Sequence, residues 1–181
     1  MVRIEFNRLR FLLVDDNAFM REIVRTILHS FGARDVLEAE DGAAGLEIFS
    51  QNKVDIVITD WDMPIFSGIE LTQMIRQPGS NSNPYAPIIM MTANPEMARV
   101  MAARDAGITE FLAKPISAKA LYRRILNIVV NPRPFIKTGN YFGPDRRRTI
   151  NVKYAGPERR KTTGADTEQS GAPSDNAKTP S

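Results

Sequence analysis

Four aspartates, a threonine and a lysine close short apolar runs in this chain of 181 residues. Asp15 and Asp16 follow "RFLLV" (10–14), Asp60 ends "VDIVITD" (54–60) with Asp62 two residues on, Thr92 ends "PIIMMT" (87–92), and Lys114 ends "TEFLAK" (109–114). Carboxylates gathered at one rim repel one another. Each stays protonated or weakens the fold unless a hard divalent cation sits among them. Magnesium suits such a place, because it accepts a few carboxylates and keeps waters for an incoming phosphate. A carboxylate can also act as a nucleophile toward phosphorus and form an acyl phosphate. That transfer calls for a metal, a cation and a hydroxyl around the equatorial oxygens, and Lys114 and Thr92 supply the last two. Taken singly, Asp15-Asp16 could merely cap a helix and Lys114 could be a solvated charge; their recurrence at successive strand ends favours the joint reading.

The elements that would carry these residues follow from apolar periodicity. Residues 1–130 alternate β-rich runs with helix-period stretches, the pattern of a parallel sheet covered by helices. "RFLLV", "DVLEA" (35–39), "VDIVITD", "PIIMMT" and "TEFLAK" are the five strands. Asp16 or Asn17 caps a first helix bearing Phe19, Ile23, Ile27 and Leu28 and ended by Gly32. Helices are also expected after Gly42, from Gly68 to Arg76, from Glu96 to Ala106, and from a Ser117 cap through Val129. Five βα units with right-handed crossovers place helices on both faces, and function collects in the loops at the carboxyl ends of the strands.

Composition excludes several chemistries. There are no cysteines, so no disulfide framework or thiolate zinc site is possible. The lone histidine, His29, argues against a serine-histidine triad and reads as an ordinary helix residue. No signal-peptide pattern appears and no apolar run reaches the roughly 20 residues that span a bilayer, so a soluble cytoplasmic protein without membrane insertion is expected. The net charge of +3 hides a split: residues 1–130 hold 14 Lys/Arg against 16 Asp/Glu, whereas 131–161 hold 9 against 2. The positive excess lies in one short segment, which points to an anionic partner there.

That segment contains a repeat. "YFGPDRRRT" from Tyr141 returns as "YAGPERRKT" from Tyr154. Binding phosphate needs only charge density, so a fixed tyrosine, Gly-Pro and acid ahead of an Arg pair suggest more. An Arg guanidinium pairs bidentately with guanine O6 and N7 or stacks on the ring, and an acid accepts from the N1–H and N2–H edge. Gly-Pro would fix a turn presenting these groups, and tyrosine offers a stacking surface. Two such units suit a ligand with two guanines and two phosphates. From 162 onward Thr, Gly, Ala, Ser, Asp and Pro dominate, a composition too polar to offset chain entropy, and disorder is expected.

The pieces "LLVDDNAFMR", "VDIVITDWDMPIFSG", "PIIMMTA" and "EFLAKPI" give the first 130 residues a resemblance to the receiver domains of two-component response regulators, of the chemotaxis CheY type. The resemblance implies a flavodoxin-like doubly wound (βα)5 sheet of order 2-1-3-4-5 with a C-terminal tail. It implies that Asp60 is the phosphoacceptor, that Asp16 and Asp60 bind Mg2+ directly, that Asp15 acts through water and that Asp62 lends its backbone carbonyl. Thr92 and Lys114 would hold the phosphoryl group, Lys114-Pro115 would be cis, and Phe111 would be the switch aromatic. "DIVITDWD" also looks like the Asp-x-Asp motif of haloacid-dehalogenase-type phosphatases, but there the motif opens the fold, whereas a complete βαβα pattern precedes it here.

The stretch 133–161 resembles the arginine-rich extension of the CheY-like cyclic di-GMP effectors of alphaproteobacteria, the Cle group. This implies cyclic di-GMP as ligand, held by Tyr141, Asp145, Arg146 and Arg147 in the first unit and Tyr154, Glu158, Arg159 and Arg160 in the second, with Arg148 and Lys161 as weaker candidates. The expected organisation is a receiver domain (1–131), a cyclic di-GMP-binding segment (132–162) and a disordered tail (163–181). The expected function is non-enzymatic signalling by protein–protein contact. A histidine kinase or phosphotransfer protein is the implied phosphoryl source, and the flagellar motor switch or a polar assembly the implied target. Two other readings stay open: a stand-alone phosphorelay receiver whose basic tail is nonspecific, and a tail that binds RNA or DNA, although the latter leaves the acids inside each unit unexplained.

Overall fold

In the computed structural model, the described residues run from Ile4 to Arg146, except Pro78, Ser80 to Ser82, Pro95 and Asn140, and all belong to one compact unit. After a 3-10 turn (Phe6–Arg8), the elements are β1 (Arg10–Val14), α1 (Ala18–Ser30), β2 (Asp35–Ala39), α2 (Gly42–Gln51), β3 (Ile56–Asp60), α3 (Gly68–Arg76), β4 (Ile88–Thr92), α4 (Met97–Ala106), β5 (Glu110–Ala113) and α5 (Ala118–Val130). The strands form one sheet in the order β2-β1-β3-β4-β5, every neighbouring pair parallel. This is the flavodoxin-like doubly wound arrangement read from the sequence.

Both faces of the sheet are buried, which is why the central runs are apolar at every position. Phe11, Leu13, Ile56, Ile58, Ile89 and Met91 face α1 and α5 through Val24, Leu28, Leu121 and Ile125. The alternate residues Leu12, Val14, Val57 and Ile88 face α2 and α3 through Phe49, Leu71 and Ile75. Met90 meets α4 at Ala103, together with Trp61 and Ile108. Each such side chain contributes about 1.5–3 kcal/mol by leaving water.

Helix starts are set by side-chain caps. Asn17, and not Asp16, caps α1, its Oδ1 accepting from Phe19 N at 3.0 Å and Met20 N at 3.2 Å, which leaves Asp16 available at the rim. Ser67 and Glu70 form a capping box on α3, and Ser117 caps α5. His29 lies exposed on α1, in keeping with an ordinary helix residue.

Residues 135–144 depart from the sequence expectation. They lie in the segment after the last expected helix, where the sequence reading placed no strand, yet they form an antiparallel hairpin of β6 (Phe135–Thr138) and β7 (Tyr141–Pro144). The reason is aromatic: Tyr85, Phe135 and Phe142 form a three-ring cluster with centroids 5.2 to 5.7 Å apart, and the Arg76 guanidinium lies 5.1 Å from the Phe135 ring centre. Backbone meets backbone where a Cβ on Gly143 would lie 3.0 Å from Gly107 Cα. Gly107 itself ends α4 at φ +103°, a conformation glycine takes without strain. The expected disorder beyond 162 lies outside the described residues.

Candidate functional site

Sheet register builds the acidic rim. Asp60 pairs with Met91 across β3 and β4, and Thr92 with Ala113 across β4 and β5. Asp15 N donates to the Ala39 carbonyl just beyond β1, and Lys114 N to the Thr92 carbonyl just beyond β5. The carboxyl ends of β1, β3, β4 and β5 thus bring residues far apart in sequence to one edge. Lys114 Nζ stands 2.9 Å from Asp60 Oδ2 and 3.1 Å from Asp15 Oδ2. Trp61 N donates to Asp60 Oδ1 at 2.8 Å, and Asn17 N to Asp15 Oδ1 at 2.9 Å. The Lys114-Pro115 peptide is cis.

Asp15, Asp16 and Asp60 each offer a carboxylate oxygen within 4.8 Å of the others, Asp15 and Asp60 buried and Asp16 exposed. Three hard oxygen donors with one side open to solvent fit a magnesium ion, which prefers carboxylates and retained waters. Burial is the main influence on Asp60 and holds its carboxyl above the usual aspartate range, with the Asp15 charge adding to this and Lys114 opposing it. Burial alone would depress the Lys114 pKa, but the Asp60 and Asp15 carboxylates outweigh it and raise it above the ordinary lysine value. The stabilisation that Lys114 lends is therefore complete below the ordinary value of 10.5 and lost only as pH climbs through the higher folded one.

The other rim residues are placed as follows. The Asp62 carboxylate stands apart from the three-carboxylate cluster among the described residues, and Arg99 Nη2 holds it at 2.7 Å. Thr92 Oγ1 exchanges hydrogen bonds with Asn94, donating to its carbonyl and accepting from its N–H, both at 3.1 Å. To reach a phosphoryl group the hydroxyl must leave that carbonyl. Phe111 is half-buried against Trp61 and Met90. Gly68 opens α3 directly behind Asp60, where any Cβ would run into the Asp60 carbonyl oxygen.

Sequence reasoning missed Arg99. Its guanidinium pairs with Asp62 and also lies 4.6 Å from the Trp61 ring centre, so it ties α4 to the loop after β3. Nothing in the residue spacing marks a contact across 37 positions.

In the repeat's first unit, Tyr141, Asp145 and Arg146 are described, while Arg147, Arg148, Tyr154, Glu158, Arg159, Arg160 and Lys161 lie outside the described residues. Gly143-Pro144 ends strand β7 and forms no turn, a correction with a clear cause. The Tyr141 ring folds back over Gly143, where a Cβ would come within 2.7 Å of the phenolic oxygen, and its hydroxyl donates to the Pro144 carbonyl at 2.7 Å. The Arg146 guanidinium lies 4.1 Å from the Tyr141 ring centre and pairs with Asp105 at 3.2 Å. Tyrosine, glycine, proline and arginine at this spacing therefore build a preformed Tyr–Arg stack. Among the described residues, no helix is long and apolar enough to cross a membrane.

Residues 11–126 match the response regulator receiver domain family. The chain is 32% identical over 117 residues to the chemotaxis protein CheY-3 of Vibrio cholerae, covering 65% of this chain and 88% of that one. It is 31% identical over 120 residues to the chemotaxis protein CheY of Pseudomonas aeruginosa, covering 66% and 95%. Among solved structures it resembles Vibrio cholerae CheY4, with a TM-score of 0.62 and 26% identity over 66% of this chain and 98% of that one. It also resembles the receiver domain of the sensor histidine kinase PA1611 from Pseudomonas aeruginosa, with a TM-score of 0.59 and 30% identity over 66% and 94%; that domain holds a magnesium ion in its active site cleft. With the sheet order, the three-carboxylate rim and its bridging lysine, these matches place the chain in the response regulator receiver family.

Proposed function

We propose that this receiver is a response regulator with two inputs: phosphorylation at Asp60 and binding of cyclic di-GMP by the basic segment after α5. The observation that carries the second input is the Tyr141–Arg146 contact, which holds a guanidinium over an aromatic ring and ties it to the Asp105 carboxylate at the surface of the receiver. A guanidinium restrained this way is placed to meet a guanine ring. Residues 1–131 are then the receiver, 132–162 the ligand-binding segment and 163–181 a tail. Output is contact with a partner such as a motor-switch or polar assembly, reached from the cytoplasm.

At the rim, Asp15, Asp16 and the Asp60 carboxylate would hold magnesium, which when bound offsets negative charge on the oxygens in transfer. The Asp60 carboxylate attacks the phosphorus of a phosphohistidine; an O–P bond forms as the P–N bond breaks, and the imidazole leaves with the electron pair. Lys114, already on Asp60 Oδ2, steers one phosphoryl oxygen, and Thr92 holds another after its hydroxyl leaves Asn94. Phe111, in β5 and packed on the cluster that holds Ala103 of α4, would carry the change toward α4.

Calorimetry with cyclic di-GMP on the full chain tests the ligand. Micromolar or tighter binding lost in an Arg146→Ala, Arg159→Ala protein is expected; no heat, or equal affinity for unrelated nucleotides and DNA, overturns the reading. Phosphorylation by acetyl phosphate, absent in Asp60→Asn, tests the first input. Point substitutions are the cleaner tool, because truncation after Val130 would also uncover Arg76 and Tyr85 beneath the hairpin.

A further inference from the structure

Between α3, α4 and the β6–β7 hairpin lies a cleft of about 420 Å³, lined by Gln73, Arg76, Gln77, Asp105, Lys137 and Tyr141 among others. It sits beside Gly107, at the amino end of β5, and so opposite the acidic rim. The volume is within the range of small-molecule sites.

The charges in this cleft are unusual. Arg76 is 4% exposed, and among the described residues its guanidinium donates to backbone carbonyls, those of Pro84 at 2.7 Å, Ala86 at 2.8 Å and Gly107 at 3.0 and 3.1 Å. Among the described residues no carboxylate pairs with it. Burial lowers its pKa to about 10, so it stays cationic at neutral pH. A buried cation balanced only by dipoles projects positive potential into the adjoining space, and Lys137 adds a second cation. Yet the same wall carries an acid, Asp105, and two carboxamides, Gln73 in α3 and Gln77 just past its end. A site for bare phosphate gains nothing from Asp105. A ligand with an anionic part and a planar, hydrogen-bonding part uses both.

We propose that this cleft is the receiver's own half of a guanine nucleotide site, a proposal that rests on the cyclic di-GMP reading and adds residues outside the basic repeat. The base stacks on Arg146, which lies on Tyr141 and keeps 39% of its side chain exposed. Asp105 accepts from the N1–H and N2–H edge, with Gln73 and Gln77 completing the base contacts. A phosphate lies toward Lys137 in the field of Arg76. The chain thus reads one guanine with its folded domain.

Calorimetry on the full chain with cyclic di-GMP and cyclic di-AMP distinguishes this from binding by the repeat alone. Asp105→Asn is expected to weaken cyclic di-GMP at least ten-fold and to narrow its preference over cyclic di-AMP, a change in selectivity that loss of the Arg146 ion pair alone would not produce. Lys137→Ala and a Gln73→Ala, Gln77→Ala pair, both on surface positions, are expected to weaken binding several-fold with unchanged stabilisation by magnesium. Parental affinity and selectivity in all three, with binding still abolished by Arg159→Ala, overturns this inference and leaves the ligand reading standing. Absence of cyclic di-GMP binding by the parent overturns both.

Discussion

Replacing Asp60 by asparagine removes one of three carboxylates whose oxygens lie within 4.8 Å of one another, while keeping an acceptor for the Trp61 N–H. At that separation Asp15 and Asp16 each repel Asp60 by roughly 1 to 3.5 kcal/mol for effective dielectrics of about 80 to 20. The attraction to Lys114 at 2.9 Å is worth roughly 1.5 to 6 kcal/mol on the same scale. Two repulsions and one attraction cancel to about 1 kcal/mol, and burial decides the sign: it is the largest influence on Asp60, whose pKa is raised. A carboxyl with a raised folded pKa favours the fold only while protonated. Its contribution is present below the ordinary value of 3.8 and lost as pH climbs through the higher folded value. At neutral pH without divalent cations, Asp60→Asn is therefore expected to be more stable than the parent by about 1 kcal/mol, roughly 3 to 5 °C in Tm. Magnesium reverses the order. At ten times its Kd it stabilises the parent by about 1.4 kcal/mol, and the variant, with one carboxylate fewer, responds little. Thermal and urea unfolding in EDTA and in saturating magnesium read both effects. A variant less stable than the parent in EDTA shows that the Lys114 pair outweighs repulsion and burial; equal responses to magnesium show that the three carboxylates do not hold it together.

Lys114→Met leaves fully buried Asp15 facing Asp60 without their shared cation, and urea unfolding in EDTA should show a loss of about 3 kcal/mol, part of it regained with magnesium. Ile65 is a β-branched residue at φ +67° and 70% exposed, so Ile65→Asn relieves strain without losing packing and should gain about 1 kcal/mol in the same assay. Gly143→Ala puts a Cβ 2.7 Å from the Tyr141 hydroxyl oxygen and should destabilise the docked hairpin by about 1–3 kcal/mol. Hydrogen exchange should then quicken across 135–144 and leave α1 and α5 protected; uniform protection would show that the hairpin is not held by this contact.

How much was legible follows from what periodicity reports. Alternation in "VDIVITD" and "PIIMMT" records burial on both faces, so the strands, their crossovers and the rim of Asp15, Asp60, Thr92 and Lys114 could be placed from sequence. The hairpin could not. Phe135 and Phe142 sit in a basic stretch without apolar period, and their burial depends on Tyr85 and Arg76, which read in sequence as a loop residue and a helix end. Gly143-Pro144 looked like a turn because that pair often makes one; here cross-strand pairing and the fold of Tyr141 over the glycine won.

The sequence by itself determined the kinds of element and their order, because each strand and helix carries its own apolar period and each cap its own polar residue. Tertiary structure alone decided which distant groups meet: Lys114 on Asp15 across 99 positions, Arg99 on Asp62 across 37, and Arg146 on Asp105. Local patterns state that a side chain is buried or exposed, but not against what. Only packing of the sheet, its helices and the hairpin turns a row of strand-end aspartates into one cation-binding rim, and a basic repeat into a stacked arginine beside a cleft.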